Sequence, residues 1–153
     1  MGGGGGREAR LERRGYNWYR RILPLLRDDS DRYLVEPYVY CQNVCGPAHP
    51  QFGMGRNAWL TGTASWTYVA ATQWILGIRP TYRGLRIAPA LPSGWDGFTA
   101  RRLFRGVVYE LAVERAGPGN AVSLEVDGAV VDGDVVPLPP PNRERVTVRA
   151  TIG

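Results

Sequence analysis

Apolar and polar residues follow two different periods along this chain, and the change falls near residue 78. From Leu11 to Leu26 (LERRGYNWYRRILPLL) apolar residues mix with Arg at helical spacing, which predicts an amphipathic surface helix that Gly15 and Pro24 cut short. A second helix is predicted over Tyr33 to Val44 (YLVEPYVYCQNV), with Pro37 in its first turn and Gly46 closing it. The stretch NAWLTGTASWTYVAATQWILG has start signals in Thr61, Thr63 and Ser65, a helical body from about Ala64 to Leu76, and Gly77 as a stop. Its apolar residues do not keep to one stripe: Ala64, Tyr68, Ala71 and Ile75 lie on one side, and Trp66, Val69, Ala70 and Trp74 on another. A helix apolar all round must be covered on all sides, and the helices of residues 7–78 are too few to cover it. This part of the chain therefore reads as a piece of a larger helical domain.

From Arg79 onward the period is two. Val107, Tyr109, Leu111 and Val113 alternate with Val108, Glu110, Ala112 and Glu114, and the same holds for Val122, Leu124, Val126 and for Val146, Val148, Ala150, Ile152. These are half-buried strands, expected to be antiparallel. Asp127-Gly128 supplies a hairpin turn, Asp132-Gly133-Asp134 another turn, and the run from Pro137 to Pro141 a rigid connector. A small antiparallel β-sandwich of the jelly-roll kind is the expected architecture, so the fold class is α+β.

Composition changes this picture in three ways. The 153 residues contain no lysine, so all 19 basic residues are Arg, against 14 acids. Schiff-base, pyridoxal-phosphate and P-loop chemistries, which need an amine, are thereby excluded. The net charge of +5 gathers at the front, where Arg7, Arg10, Arg13, Arg14, Arg20, Arg21, Arg27 and Arg32 fall within the first 32 residues. Glu8, Glu12, Asp28, Asp29 and Asp31 interrupt that field, and no helix-turn-helix, zinc-finger or base-stacking motif accompanies it, so a solvated helix face is preferred to a nucleic-acid surface. Finally, no run approaches the roughly 20 apolar residues of a membrane span and the start has no signal-peptide core, which makes a cytoplasmic protein with no membrane partner the expectation.

Cys41, Cys45 and His49 are spaced by four, as metal ligands on one helix face would be. Gly46, Pro47 and Pro50 break any such helix, and no further Cys or His completes a structural site, so no metal is expected and the two cysteines read as small, reduced, buried residues. With His49 as the single histidine, hemmed in by prolines, Ser-His-Asp and Cys-His catalysis are poorly supported as well.

The strings EPYVYCQNVCG, RNAWLTGTASWTYVAATQWILGIRPTYRGLRIAPALPSGWDGF and RRLFRGVVYELAVE, in that order, resemble the C-terminal part of the inverting disaccharide phosphorylases of the cellobiose phosphorylase type, glycoside hydrolase family 94, which include chitobiose and cellobionic acid phosphorylases. The resemblance runs from about Tyr16 to Val126. It implies that residues 7–78 are the last helices of an (α/α)6 catalytic barrel and residues 79–153 a C-terminal β domain. Residues 1–6, with the Gly2 to Gly6 run, match nothing in the family and read as an extraneous, disordered start.

The family cleaves a β-linked disaccharide with inorganic phosphate to a sugar 1-phosphate of inverted configuration. A single Asp is the general acid, and phosphate takes the place of the water and base of an inverting hydrolase. The resemblance places that Asp upstream of the residues present, and Glu36 is the single carboxylate between Arg32 and Trp95, so no catalytic residue is expected in this chain and it is not expected to turn over alone. Thr61 and Gly62 of the WLTGTA motif match the pair that contacts phosphate in the family. Elementary physics points the same way, since a hydroxyl and a Gly amide ahead of a helix N-terminus suit an anion. The bland reading is that Thr61 and Thr63 only cap the helix. Beyond phosphate as co-substrate no cofactor is implied, and the partners implied are a di- or oligosaccharide and a second copy in a homodimer. In RIAPALP the chain departs from the family, with Ala88 and Ala90 where Asp and Cys are common, which puts the usual polar contacts of that linker in doubt.

The rival to a phosphorylase segment is a stand-alone module whose β-sandwich binds carbohydrate through exposed aromatics such as Tyr82, Trp95 or Tyr109. A DNA- or RNA-binding Arg-rich protein is weaker still.

Overall fold

Pro24, Leu34 and Gly77, each unable or unwilling to continue a helix, set where the helices of this chain stop, and the two-residue period sets where its sheets begin. The computed structural model describes residues 14–153, which fall into two compact units, residues 14–70 and 71–153. The Gly-rich start and Arg7, Arg10, Leu11 and Arg13 lie outside the described residues.

In the first unit α1 is helical over residues 14–21 and includes Gly15. Pro24 opens a separate 3-10 turn, Pro24–Leu26, so the proline alone marks the end of α1. A single helical turn, α2 (Ser30–Tyr33), follows. The helix predicted over Tyr33 to Val44 does not form. Leu34 turns left-handed at φ 53°, which ends α2 there, and Pro37 both lacks an amide donor and steers Glu36 away from helical dihedrals. The end of the predicted helix is instead a strand, β1 (Asn43–Val44), antiparallel to β2 (Gly55–Arg56). Gly55 is required for this packing, because a Cβ there would lie 2.5 Å from Val35 Cγ2. Tyr33 is buried beside it and donates its hydroxyl to Cys41 Sγ at 3.1 Å; burial first, and this contact second, push the phenol up to about 12.

The next helix, α3 (Thr63–Val69), changes into a π-helical stretch, Ala70–Ile75, and stops at Gly77, which takes φ +69° as a helix stop of this kind requires. No side chain but glycine fits, since a Cβ would sit 2.1 Å from the Ala88 backbone. Arg79 braces the stretch by donating Nε to the Gln73 carbonyl at 2.7 Å while its guanidinium lies 4.2 Å over the Trp74 ring. Ala88 and Ala90 close against the same segment with their amides, Ala88 to the Gly77 carbonyl and Ala90 to that of Ile75, both at 2.9 Å. Backbone bonds of this kind hold the linker at Ala88 and Ala90 without polar side chains there.

The second unit is β-rich. A sheet of three strands, β3 (Ile78–Pro80), β4 (Gly84–Ile87) and β9 (Val135–Pro137), accompanies one of five: β5 (Gly97–Phe104), β6 (Val107–Arg115), β7 (Val122–Val126), β8 (Ala129–Val131) and β10 (Arg145–Ile152), in the order β5-β6-β10-β7-β8. Both sheets turn their apolar alternates into one core, with Leu85, Ile87 and Val136 from the first and Tyr109, Val113, Val148 and Ile152 from the second fully covered. Asp127 and Gly128, at φ 48° and 86°, form the expected tight hairpin between β7 and β8. The sheet is not wholly antiparallel as the pattern suggested. Strand β10 runs parallel to β6 over Arg145↔Val108 to Ile152↔Arg115, because the chain leaves β6, makes the β7-β8 hairpin, joins the other sheet as β9 and returns through the proline connector. Arg115 at the end of β6 ties two loops together, donating to the carbonyls of Leu91, Trp95, Gly117 and Gly119 and to Asn120 Oδ1 at 2.6–3.3 Å.

Candidate phosphate-binding site

Thr61 and Gly62 stand at the entry to α3, on a turn that two left-handed residues shape. Asn57 has φ 52° and Trp59 φ 69°, conformations that L residues adopt at a cost and keep only where neighbours hold them. The neighbours come from the segment ahead of β1. Asn57 Nδ2 donates to Gln42 Oε1 at 3.0 Å, the Trp59 indole donates to Glu36 Oε1 at 3.3 Å, and the Tyr38 and Trp59 rings meet edge to face at 6.3 Å. The β1-β2 pairing brings these two segments into register. None of this is legible in the sequence, where Trp59 and Asn57 carry no turn signal as strong as a glycine.

At the helix start the Thr63 amide donates to Thr61 Oγ1 at 3.1 Å, and the Thr61 and Thr63 hydroxyls are 2.7 Å apart. Thr67 Oγ1 donates back to the Thr63 and Ala64 carbonyls, which occupies the one buried polar side chain of α3. Thr61 thus holds the Thr63 amide from one residue ahead of the Gly62 N-cap, and that bond uses an acceptor lone pair. A hydroxyl also carries a proton; either hydroxyl of the pair can be the donor, and when Thr63 donates the Thr61 proton is free for an anion. Trp66 makes the first helical bond, to the Gly62 carbonyl, so the Ala64 and Ser65 amides have no acceptor within the helix. Gly62 itself is exposed with an ordinary helical φ of −77°, and a Cβ there would touch only Trp66, at 3.7 Å. Nothing among the described residues demands glycine at this position.

The remaining candidates fall elsewhere. Cys45 is buried, Cys41 is half-buried beneath the Tyr33 hydroxyl, both are free thiols, and His49 Nδ1 accepts the Gln51 amide at 3.0 Å. The three aromatics of the sugar-binding module do not form a surface. Tyr82 is 93% exposed, but Trp95 packs against the core and Tyr109 is fully buried, a placement its alternation with Val107 and Leu111 already dictates. Among the described residues no helix is long and apolar enough to cross a membrane.

Comparison with known proteins bears on the same segment. Residues 8–77 match the family described as the Glycosyl hydrolase 94 superfamily, catalytic domain. The chain is similar to an N,N'-diacetylchitobiose phosphorylase of Vibrio proteolyticus, 34% identical over 135 residues that cover 85% of this chain and 17% of the relative. It is 36% identical over 132 residues to the N,N'-diacetylchitobiose phosphorylase of Vibrio furnissii, covering 84% and 16%. With a solabiose phosphorylase of Paenibacillus borealis it shares 36% over 126 residues, covering 80% and 16%. The chain therefore spans about a sixth of the length of the curated relatives it matches. On these matches, which extend through both of its units, the chain belongs to the glycosyl hydrolase 94 superfamily.

Proposed function

We propose that this chain is a segment of an inverting disaccharide phosphorylase, in which residues 7–78 contribute the last helices of an (α/α)6 barrel and residues 79–153 the β domain that follows. The substrates are a β-linked di- or oligosaccharide and inorganic phosphate, with no further cofactor. Phosphate attacks the anomeric carbon as an Asp outside this chain protonates the departing sugar oxygen, and sugar 1-phosphate forms with inversion. Thr61 donates its hydroxyl to the phosphate while its lone pair holds the Thr63 amide, and the exposed Gly62 lets the anion reach the amides at the start of α3. The parent enzyme works as a cytoplasmic homodimer, without nucleic acid or membrane. The observation that carries this reading is an unobstructed Gly62 between a threonine hydroxyl and a helix start, in a chain whose relatives include phosphorylases.

In a full-length phosphorylase carrying this segment, Thr61→Val keeps the shape and removes one hydrogen bond to a charged ligand. That bond is worth about 1.5–3 kcal/mol, so the KM for phosphate should rise roughly ten- to a hundredfold with that for the disaccharide little changed. Unchanged phosphate kinetics with a stability loss of about 1 kcal/mol would leave Thr61 as a cap alone. The isolated chain, given cellobiose and phosphate, should form no glucose 1-phosphate.

A further inference from the structure

The β-rich unit holds a polar group that its own fold does not use. Tyr109 is fully buried on the inner face of β6, and its hydroxyl has no hydrogen-bond partner among the described residues. Such a group is costly to bury unpaired, and in a native fold it calls for an explanation. Phe104 packs against the ring at 6.2 Å but offers no acceptor.

The residue also lines a cavity of about 270 Å³, between the β5-β6 turn at Arg105 and Gly106 and the connector from Leu138 to Arg143. The walls are of two kinds. Val107, Leu138 and Pro139 to Pro141 are apolar, and the rim carries two guanidinium groups. Arg143 is already committed, its Nη2 to Asp127 at 2.7 Å and its Nε to the Arg145 carbonyl at 2.9 Å. Arg105 is not. Its one close partner is the Phe104 ring at 5.3 Å, it makes no ion pair among the described residues, and a left-handed φ of 51° sets it in the turn.

We propose that this cavity is a binding site for a small carboxylate with an apolar body, its oxygens taken by the Tyr109 hydroxyl and the Arg105 guanidinium and its body by the proline and leucine walls. A carboxylate fits better than a phosphate. Its two oxygens need few donors and match the planar fork of Arg, whereas a dianion against apolar walls would leave most of its oxygens unpaired. Burial raises the phenol above its usual range and the nearby Arg105 charge only partly offsets this, so Tyr109 remains a proton donor throughout neutral pH. The site lies wholly within residues 71–153 and does not depend on the phosphorylase reading.

Titration of the full chain with benzoate, followed by calorimetry or by ligand-observed NMR, tests this. Saturable binding with a dissociation constant on the order of 1 mM is expected. Tyr109→Phe keeps the ring in the core and Arg105→Gln is a surface change, so both variants should fold, and each should weaken benzoate binding roughly tenfold or more. Benzyl alcohol, which keeps the ring and lacks the charge, should bind at least tenfold more weakly than benzoate. No saturable binding, equal affinity in wild type and both variants, or equal affinity for the neutral alcohol would overturn the proposal.

Discussion

Residues 14–70 and 71–153 treat their large apolar side chains in opposite ways. In the β-rich unit two sheets close over a shared core, and Leu85, Ile87, Val136 and Ile152 lose all contact with water. In the first unit Trp18, Trp59, Trp66 and Tyr68 stay largely in solvent, Trp66 at 74% exposure and Tyr68 at 62%. Each large side chain withheld from burial forfeits about 1.5–3 kcal/mol, so a few such residues equal the net stability of a whole domain. The β-rich unit thus covers its own large aliphatic side chains. The first unit, which lies within the segment that matches a catalytic-domain family, leaves its large aromatics uncovered.

Truncation in each unit should break this comparison most sharply if it is wrong. Leu85→Ala should cost about 2–5 kcal/mol, because it opens a cavity in a covered core. Trp66→Ala removes a larger side chain and should change stability by less than about 0.5 kcal/mol in this chain, while lowering its tendency to bind a hydrophobic dye. Denaturant melts of the two variants check both. Equal costs would mean that α3 is as well packed as β4.

The next effect concerns what holds the loops of the β unit. Arg115→Met keeps the apolar stem and removes bonds to four carbonyls and to Asn120, several of them part-buried, so about 2–3 kcal/mol should be lost. If the loss were under 0.5 kcal/mol, the loops at Leu91–Trp95 and Gly117–Asn120 would be held by packing instead. Smaller again, Gly128→Ala meets open space but needs φ +86°, so only backbone strain of about 1 kcal/mol is expected.

The smallest effect at neutral pH lies in the first unit. Tyr33 titrates near 12 in the fold against 10.0 unperturbed, chiefly through burial and then through its bond to Cys41. A raised folded pKa contributes stability that is whole below pH 10 and is lost as pH climbs through about 12. Absorbance at 295 nm should show late-ionising tyrosines, with the buried Tyr109 as well as Tyr33 among them, and Tyr33→Phe should lower that late amplitude by one tyrosine. An undiminished late amplitude in the variant would move the assignment to another phenol.

Much of the β unit was legible because a period of two carries both strand and face. The same period places Tyr109 inward with Val107 and Leu111, and treating it as a surface aromatic ignored its own register. Strand direction was not legible, since alternation is identical in parallel and antiparallel pairs, and β6-β10 turned out parallel. In the helical unit the residues from Tyr33 to Val44 looked helical by composition, but the left-handed Leu34 and Pro37 override propensity. The Gly77 stop was visible in sequence. The left-handed Trp59 that shapes the turn, and the π-helical Ala70–Ile75, arise from tertiary contacts and leave no local mark.

Native-state hydrogen exchange on the full chain tests the central contrast most directly, because it reads local stability residue by residue. Amides of β6 and β10 should exchange through global unfolding and be at least a thousandfold slower than those of α3, which should exchange within seconds to minutes. Equal protection of α3 and of the β6-β10 pair, lost together in one cooperative step, would contradict the account and make residues 14–153 a single self-sufficient fold.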